Sequence, residues 1–430
     1  MKLTNDNRSL FSDSKGYSER LPTNTLSHHY RIQRWANFIA GYSIEFVEAC
    51  LSELVPSDNV VLDPFLGCGT TLVAARNLGF NGVGYEVHPI FYTLARAKLK
   101  NYVRDDINEI AEKLLTETVP IKWSTDAQKF ITKMYSESNR EAISRAATAV
   151  HSIPAASNAL AVALFLKASE MACEAQTDGI YKAPDSKKRS ISFQRAVKLA
   201  VSLFKEDIES DWYQTHWVNQ PIPGCHLKSA ESMAELKNNS IGICITSPPY
   251  LNNFDFAEMT RLHLYLLGWA DSWKNITQLV RKSLITNTTT ALQHKKTDEF
   301  QASKRDSLPA ELRQELALIV DQLAAQKKHR AGKKDYDFLV YPYYSQIQSV
   351  LLEVFRLLKS GGRVHWVVGD AALYGIHLKT HQHTKTLMET IGFSEVTVNF
   401  IRKRGHRWIL SKREGTKEGL GEYNIIAYKR

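Results

Sequence analysis

The sequence predicts an α/β protein built on a mostly parallel sheet with helices around it. Residues 60–86 have the pattern of a strand, a glycine turn, a helix and a second strand, which is a βαβ unit. Residues 241–250 form an apolar strand that ends in Ser-Pro-Pro-Tyr, and residues 343–369 add a helix, two glycines and another apolar strand. Strands that alternate with helices in this way indicate a parallel sheet.

The length and composition are those of an ordinary globular protein. With 430 residues, of which 43% are hydrophobic and 23% charged, the chain has room for one large α/β domain with insertions or for two domains. No stretch approaches the roughly 20 apolar residues of a membrane span, and the polar start lacks the core of a signal peptide. We therefore expect a soluble cytoplasmic protein. Five scattered cysteines without a Cys-x-x-Cys pair indicate neither disulfides nor a zinc site.

The net charge of +10 is concentrated in one part of the chain. Residues 1–250 sum to zero, so the whole excess lies in residues 251–430, after the Ser-Pro-Pro-Tyr stretch. A locally basic surface favours a polyanionic partner for the second half, although a solvated basic surface has the same composition.

The first segments prepare the βαβ unit. Residues 1–28 are polar and without periodicity, and are predicted to be a flexible arm. Residues 29–102 are predicted to be the ligand-binding part of the core. Ser43 precedes apolar positions spaced three and four apart, which is typical of a capped helix start.

The turn of the βαβ unit carries the first candidate site. Gly67 and Gly69 follow the strand, and Glu86 ends the second strand, 17 positions beyond the second glycine. Glycines let a ligand approach the backbone, and a carboxylate at that strand tip accepts hydrogen bonds from ribose hydroxyls. The third glycine of a dinucleotide fingerprint and the Gly-Lys-Thr of a phosphate loop are both missing, and Phe65 takes a position where a phosphate needs small residues. The pattern favours a nucleoside ligand without a phosphate chain.

Two insertions divide the rest of the core. Residues 103–222 are predicted to be a helical insertion, with residues 187–189 in a polar loop. Residues 223–268 should hold a strand near Cys225, a short helix over 233–236, the Ser-Pro-Pro-Tyr strand and a helix over 254–267. Residues 269–340 are a polar insertion with the basic run 327–334, which suits either a solvated loop or contacts to phosphates.

The last segment, residues 341–430, should complete the sheet. A helix from Tyr343 leads through two glycines to a strand over 363–369, and a last helix covers 381–391. Strands over 395–401 and 423–428 are predicted to close the sheet around a basic loop.

Two motifs in this order resemble one family. Asp63-Pro64-Phe65-Leu66-Gly67-Cys68-Gly69-Thr70-Thr71 resembles the cofactor motif of the amino-group DNA methyltransferases, which use S-adenosylmethionine. Ser247-Pro248-Pro249-Tyr250 resembles their catalytic motif in the Ser-led form of the cytosine-N4 branch. The resemblance implies a Rossmann-like class I methyltransferase fold with a mostly parallel seven-stranded sheet, an antiparallel C-terminal strand and helical insertions.

The resemblance also implies roles for single residues. The residues that would bind the cofactor are Phe38, Asp63, Phe65, Gly67, Gly69, Thr70, Glu86 on the ribose and Pro89 beside the adenine. The family usually contacts the adenine amine of the cofactor with the Asp of a Gly-Asp-Ala signature. This signature is absent here, so the contact is expected from Ser229 or Glu231. No metal is required.

The catalytic residues implied are Ser247, Pro248, Pro249 and Tyr250. An exocyclic amine is a poor nucleophile because its lone pair is delocalised into the base. If the Ser247 hydroxyl and the Pro248 carbonyl accept its N–H bonds, the nitrogen moves toward tetrahedral geometry and can attack a methyl sulfonium. Tyr250 would stack on a base that has left the duplex.

Several alternatives remain at this stage. Carbon-5 methylation is disfavoured because none of the five cysteines follows a proline, as that chemistry requires in its family. Adenine methyltransferases, guanine RNA methyltransferases and glutamine methyltransferases mostly carry Asp or Asn where this chain has Ser247. A non-catalytic DNA-binding or regulatory module is the alternative of another class.

The partners implied are double-stranded DNA and a cognate restriction endonuclease, with DNA marking as the other biological setting. Target recognition falls to one or both insertions. The charge distribution favours residues 269–340, with Lys327, Lys328, Arg330, Lys333 and Lys334 on phosphates.

Overall fold

The computed structural model describes residues 30–36, 41–178, 181–252, 254–292, 295–330, 333–403 and 420–430. The predictions for the arm over residues 1–28, for Phe38 and for the basic loop before residue 420 lie outside these residues. Among the helices in the described ranges, none is long and apolar enough to cross a membrane.

The strands in the described residues belong to one large sheet and two hairpins. They are β1 (Val60–Asp63), β2 (Asn81–Tyr85), β3 (Ala175–Asp178), β4 (Tyr181–Lys187), β5 (Gly224–His226), β6 (Ile241–Thr246), β7 (Leu358–Gly369), β8 (Ala371–Leu373), β9 (Ile376–Leu378), β10 (Ser394–Lys403) and β11 (Gly421–Tyr428).

The large sheet has seven strands in the order β10-β11-β7-β6-β1-β2-β5. Neighbours from β5 to β7 are parallel, whereas β11 is antiparallel to both β7 and β10. The predicted class I methyltransferase sheet with an antiparallel C-terminal strand is therefore confirmed.

Helices cover both faces of this sheet. In the described residues they are α1 (Ile44–Leu51), α2 (Thr70–Asn77), α3 (Pro89–Leu99), α4 (Arg104–Thr116), α5 (Thr125–Thr132), α6 (Glu137–Ser152), α7 (Asn158–Ala172), α8 (Phe193–Ile208), α9 (Asp211–Thr215), α10 (Phe256–Met259), α11 (Arg261–Leu266), α12 (Trp273–Ile276), α13 (Asp298–Asp306), α14 (Ala310–Lys328), α15 (Val340–Leu357) and α16 (Thr380–Ile391). The predicted cap of α1 is confirmed, since Ser43 Oγ accepts from the Phe46 N–H over 3.3 Å.

Two hydrophobic cores lie on opposite faces of the sheet because successive strand residues point to opposite sides. Val61 and Ile243 join a core with α1, α2 and α3, whereas Leu62 and Cys244 join a core with α15 and α16. β6 is buried along its whole length. Burial on both faces explains its uninterrupted apolar sequence.

The first insertion, residues 103–222, packs on the core of α1 to α3. It is mainly helical, as predicted, and its α7 is apolar almost throughout because it packs against α3, α6 and α8. Asp207 at the end of α8 fixes residues 31–35, because its carboxylate accepts from Arg34, from the Trp35 indole and from the Ile32 backbone N–H. Trp35 therefore anchors this insertion.

The hairpin of β3 and β4 was not predicted. The loop prediction for residues 187–189 was wrong at Lys187, which ends β4 and pairs with Ala175. The sequence of Tyr181–Lys187 contains Pro and Asp, which are unfavourable in strands. The strand is therefore recognised only from its pairing with β3.

The second insertion, residues 269–340, divides between the two faces of the sheet. Leu312, Leu316 and Leu323 of α14 are buried in the core that also contains α15. The first part of this insertion, with Ile276, Val280 and Leu284, lies instead in the core of α1 to α3. The two insertions also touch each other there, since Ser124 Oγ donates to the Asp271 carbonyl.

Two local helix predictions were wrong. Residues 233–236 form turns, because the Met233 N–H donates to Glu353 and its carbonyl accepts from Arg356 instead of entering a helix. The helix predicted over 254–267 divides at Thr260 into α10 and α11.

One edge of the sheet gathers both candidate motifs. β1, β6 and β7 end there, and the antiparallel β11 begins there. In register, Glu422 lies opposite both Gly369, the last residue of β7, and Arg402 near the end of β10.

Candidate active site

A cavity of about 220 Å³ opens at this edge, where β1 and β6 are neighbours. The chain moves from β1 outward to β2 on one side and from β6 outward to β7 on the other, so the cavity lies at the switch point of the sheet. Open α/β sheets bind their ligands at this place.

The loop after β1 turns sharply on its glycines. Gly67 and Gly69 have φ angles of 53° and 88°, in the left-handed region that disfavours other residues. A Cβ on Gly69 would also lie 3.1 Å from the Ala95 Cβ. The loop is closed by the Leu66 N–H, which donates to the Tyr85 carbonyl over 2.9 Å.

Asp63 fixes this loop from inside the protein. Its Oδ1 accepts from Thr246 Oγ1 over 2.7 Å and from the Phe65 N–H over 3.0 Å, and its Oδ2 accepts from Thr71 Oγ1 and from the Tyr42 hydroxyl. Burial raises the pKa of Asp63, and these hydrogen bonds oppose that rise. With four donors on one carboxylate, Asp63 holds β1, β6 and the loop together.

Glu86 presents a carboxylate to the same cavity. Its Oε2 accepts from the Gly67 N–H over 2.8 Å and its Oε1 from the His88 N–H over 2.7 Å. Burial raises the pKa of Glu86 to about 7, although these backbone hydrogen bonds lower it. Each carboxylate oxygen keeps the capacity for a further hydrogen bond, so the side chain fits the two hydroxyls of a ribose.

A buried polar network lies behind Thr70. Gln33 Nε2 donates to Thr70 Oγ1 over 2.7 Å, and Lys98 Nζ donates to Gln33 Oε1 over 3.2 Å. Burial lowers the pKa of Lys98 to about 8. The network places a cationic group beneath the glycine loop.

The loop after β6 is held by the second insertion. Asn287 Nδ2 donates to the Tyr250 carbonyl over 3.2 Å, and the Asn252 N–H donates to the Asn287 carbonyl over 2.6 Å. Ser247 lines the cavity, as do both prolines and Tyr250.

Tyr250 connects this loop to the last strand. Its hydroxyl donates to Glu422 Oε1 over 2.8 Å and accepts from Ser247 Oγ over 3.3 Å. Arg402 Nε donates to Glu422 Oε2 over 2.6 Å. Glu422 and Arg402 also line the cavity, and no sequence motif predicted them.

The structure brings most of the predicted site residues together. Those that line the cavity are Asp63, Phe65, Gly67, Thr70, Glu86, Ser247, Pro248, Pro249 and Tyr250, and Ser229 joins them whereas Glu231 does not. Gly69 and Pro89 do not line it: Gly69 precedes α2 as its N-cap, and Pro89 is the first residue of α3. Val87 and Phe91, on either side of Pro89, are the lining residues of that segment.

Only one insertion reaches the cavity. Ser283, Leu284 and Ile285 of the second insertion line it, and within the described residues none of the lining side chains belongs to 103–222. An ion pair of 2.6 Å between Arg281 and Asp255 ties this segment to the stretch after Tyr250.

The basic run contains two kinds of side chain. Lys327 pairs with Asp335 at 2.5 Å and with Asp337 at 3.4 Å, and Arg330 donates to the Tyr374 carbonyl over 3.3 Å. Lys328, Lys333 and Lys334 are exposed. The internal contacts of Lys327 and Arg330 weaken the expectation that all five contact phosphates.

Comparison with known proteins gives a family. Residues 11–97 match the N6/N4 methyltransferase family model, described as DNA methylase. The Type II methyltransferase M.BsoBI of Geobacillus stearothermophilus is 21% identical, with 98% of this chain and 88% of that protein aligned. The Type II methyltransferase M.AvaI of a Nostoc species is 21% identical, with 84% and 79% aligned.

Among solved structures, a SAM-dependent methyltransferase of Methanosarcina mazei is similar at 9% identity. The alignment covers 88% of this chain and 96% of that protein's chain, with a TM-score of 0.31.

The strand order and the cavity at the switch point are those of the class I methyltransferase fold. The family match over residues 11–97 and the Type II relatives then support the resemblance stated from the motifs: the chain is similar to the N6/N4 amino-group DNA methyltransferases. Both the fold and the family imply S-adenosylmethionine as cofactor. The matches do not distinguish cytosine-N4 from adenine-N6 methylation.

Proposed function

We propose that the protein methylates the exocyclic amine of cytosine in double-stranded DNA, at a specific site, to give N4-methylcytosine. The observation that carries this proposal is one cavity lined by both Glu86 and Ser247. A nucleoside-binding carboxylate and an amine-binding hydroxyl in one enclosure suit a reaction between a nucleoside cofactor and a base.

The cofactor half would be held by Glu86 on the ribose and by the loop of Gly67 and Thr70. S-adenosylmethionine supplies a methyl group on a positively charged sulfur when it is bound. The protein's part is to hold the target amine. The Ser247 hydroxyl and the Pro248 carbonyl each accept a hydrogen bond from one of its two N–H groups, and Tyr250 contacts the flipped base. This is catalysis by positioning and electrostatics.

The base assignment is tested by nucleoside mass spectrometry on DNA from a host that expresses the protein. We expect N4-methylcytosine with the wild type and only a small residual amount with Ser247→Ala. N6-methyladenine would replace the cytosine assignment by the adenine alternative. Unmodified DNA with a folded wild-type protein would support the non-catalytic alternative.

We propose that residues 269–340 read the target sequence. Their segment 283–285 lines the cavity, whereas residues 103–222 contribute no lining side chain in the described chain. Replacement of residues 269–340 by the corresponding segment of a relative that methylates a different sequence should transfer that sequence preference and leave cofactor binding; unchanged specificity would contradict the assignment.

The exposed lysines of the basic run should contact phosphates. In the triple variant Lys328→Ala, Lys333→Ala and Lys334→Ala, the slope of log affinity for DNA against log salt should become shallower by roughly 0.9 per lost contact. The matched control replaces three exposed lysines of the first insertion, Lys122, Lys129 and Lys133, and should keep the wild-type slope. Equal slopes in both triples would contradict the proposal.

The Type II relatives support a place in restriction and modification. We propose a cognate endonuclease that cuts the same unmethylated site. Protection of host DNA from that nuclease, lost in Ser247→Ala, is the expected result.

A further inference from the structure

A chain of hydrogen bonds leads from the proposed catalytic serine to the last strand of the sheet. Ser247 Oγ donates to the Tyr250 hydroxyl, which donates to Glu422, and Arg402 donates to the other oxygen of Glu422. We call these four residues the hydroxyl relay. All of them line the cavity, so the relay belongs to the surface that would meet the target base.

The relay has a direction that is fixed by its acidic end. An ionised carboxylate can only accept hydrogen bonds, so the Tyr250 hydroxyl must donate its single proton to Glu422. Toward Ser247 it can then only accept. The Ser247 proton is therefore directed to Tyr250, and the lone pairs of its oxygen are left for a donor in the cavity. A serine outside such a relay can rotate and act as donor or acceptor.

The charge at the acidic end is secured by a cross-strand pair. Glu422 is only 6% exposed, and a carboxylate with so little exposed surface needs a charged partner. Arg402 lies directly opposite it in the ladder of β10 and β11 and supplies that partner at 2.6 Å. Arg402 is 36% exposed along its side chain, so the pair remains close to solvent.

We propose that the hydroxyl relay makes Ser247 an obligate hydrogen-bond acceptor, so that the site selects amine-bearing bases over their oxo counterparts. Glu422 and Arg402 are then positioning residues, and Tyr250 acts through its hydroxyl as well as its ring. An oxo group at the same place would set its lone pairs against those of Ser247 and of the Pro248 carbonyl. The proposal rests on the proposed amine methylation but not on the identity of the base.

The test uses variants that remove the direction of the relay and keep its shape. Tyr250→Phe keeps the ring and loses the hydroxyl, and Glu422→Gln introduces N–H donors where the relay needs an acceptor. The matched control is Glu395→Gln, which breaks an ion pair of the same length, 2.6 Å, between the start of β10 and Arg430, two residues after the end of β11. Thermal unfolding of each variant checks that it folds. If Glu422→Gln does not fold, the result with Tyr250→Phe alone tests the relay.

The first readout is binding without cofactor. Duplexes carry either cytosine or uracil at the position found methylated in host DNA. We expect the wild type and Glu395→Gln to prefer cytosine, and Tyr250→Phe and Glu422→Gln to lose roughly tenfold of that preference. An unchanged preference in both variants would overturn the relay. If the host DNA carries N6-methyladenine, the cytosine proposal fails and the same comparison with adenine and hypoxanthine decides the relay.

The second readout is a double-mutant cycle on kcat. In the wild-type background, Glu422→Gln should lower kcat by roughly tenfold. In a Ser247→Ala background it should have no further effect, because Glu422 acts through the Ser247 hydroxyl. An equal loss in both backgrounds would mean that Glu422 acts independently of Ser247, which contradicts the proposal. Host DNA without any methylated base would remove the proposed function and the relay with it.

Discussion

The loops after β1 and β6 lie side by side in one cavity, yet they are fixed in different ways. The first is held by Asp63, whose carboxylate binds Phe65 and Thr71 within the same short segment. The second is held by contacts from distant parts of the chain, since Tyr250 bonds to Glu422, 172 residues later. The proposed cofactor half is thus held mainly by nearby residues, whereas the proposed target half is held by distant parts of the chain.

This difference predicts that damage to the first loop affects stability most strongly. Asp63→Ala should lower the free energy of unfolding by about 3 kcal/mol, because buried donors of Thr71, Thr246 and Phe65 lose their acceptor. Urea unfolding measures the change. Asp58→Ala, at an exposed carboxylate just before β1, is the control and should stay close to the wild type. A small effect at Asp63 would mean that the loop is held by its glycine turn alone.

An intermediate effect is expected on cofactor affinity. Glu86→Gln should weaken binding of S-adenosylmethionine by roughly tenfold or more, because a charged acceptor is lost. Isothermal titration measures it at fixed pH.

The same residue predicts a pH dependence. The raised pKa of Glu86, about 7, leaves the side chain protonated below that pH, whereas two ribose hydroxyls need the ionised carboxylate as acceptor. Cofactor affinity should therefore rise with pH up to about 7, by up to about tenfold per unit, and Glu86→Gln should abolish the dependence. Burial also raises the pKa of Glu48 to about 7, outside the cavity, so Glu48→Gln is the matched control. A dependence that survives Glu86→Gln would assign it to another group.

The smallest effect concerns the bond between the two loops. Thr246 on β6 donates to Asp63 on β1 over 2.7 Å, and Thr246→Val removes only this bond. We expect a loss of about 1.5 kcal/mol in unfolding free energy and a lower kcat with unchanged cofactor affinity. Were cofactor affinity to fall as far as in Glu86→Gln, the two loops would be a single unit rather than two joined ones.

The contrast also explains what could be predicted from the sequence. Asp63, Gly67 and Glu86 lie within one βαβ unit, so their spacing indicated both the strands and the nucleoside site. The Ser-Pro-Pro-Tyr stretch was found because two prolines end a strand. The fold followed from these signals and from the alternation of strands and helices.

Glu422 and Arg402 were missed because their meaning depends on strand pairing. Arg402 is one of several basic residues near the end of β10, and nothing near it in sequence marks it as a partner of Tyr250. A usable signal was present in Glu422, the one acidic residue of residues 421–430, at the start of a strand that runs antiparallel to its neighbours. Such a start lies at the ligand-binding edge of the sheet.

The bond from Tyr250 to Glu422 has a consequence during synthesis of the protein. The cofactor loop is complete once β1, β2 and β6 have emerged, but the partner of Tyr250 is made only with β11. Until that strand is made, Ser247 lacks the hydroxyl relay that we propose orients it. If the relay acts as proposed, the orientation of Ser247 is completed late in translation, when β11 joins the sheet.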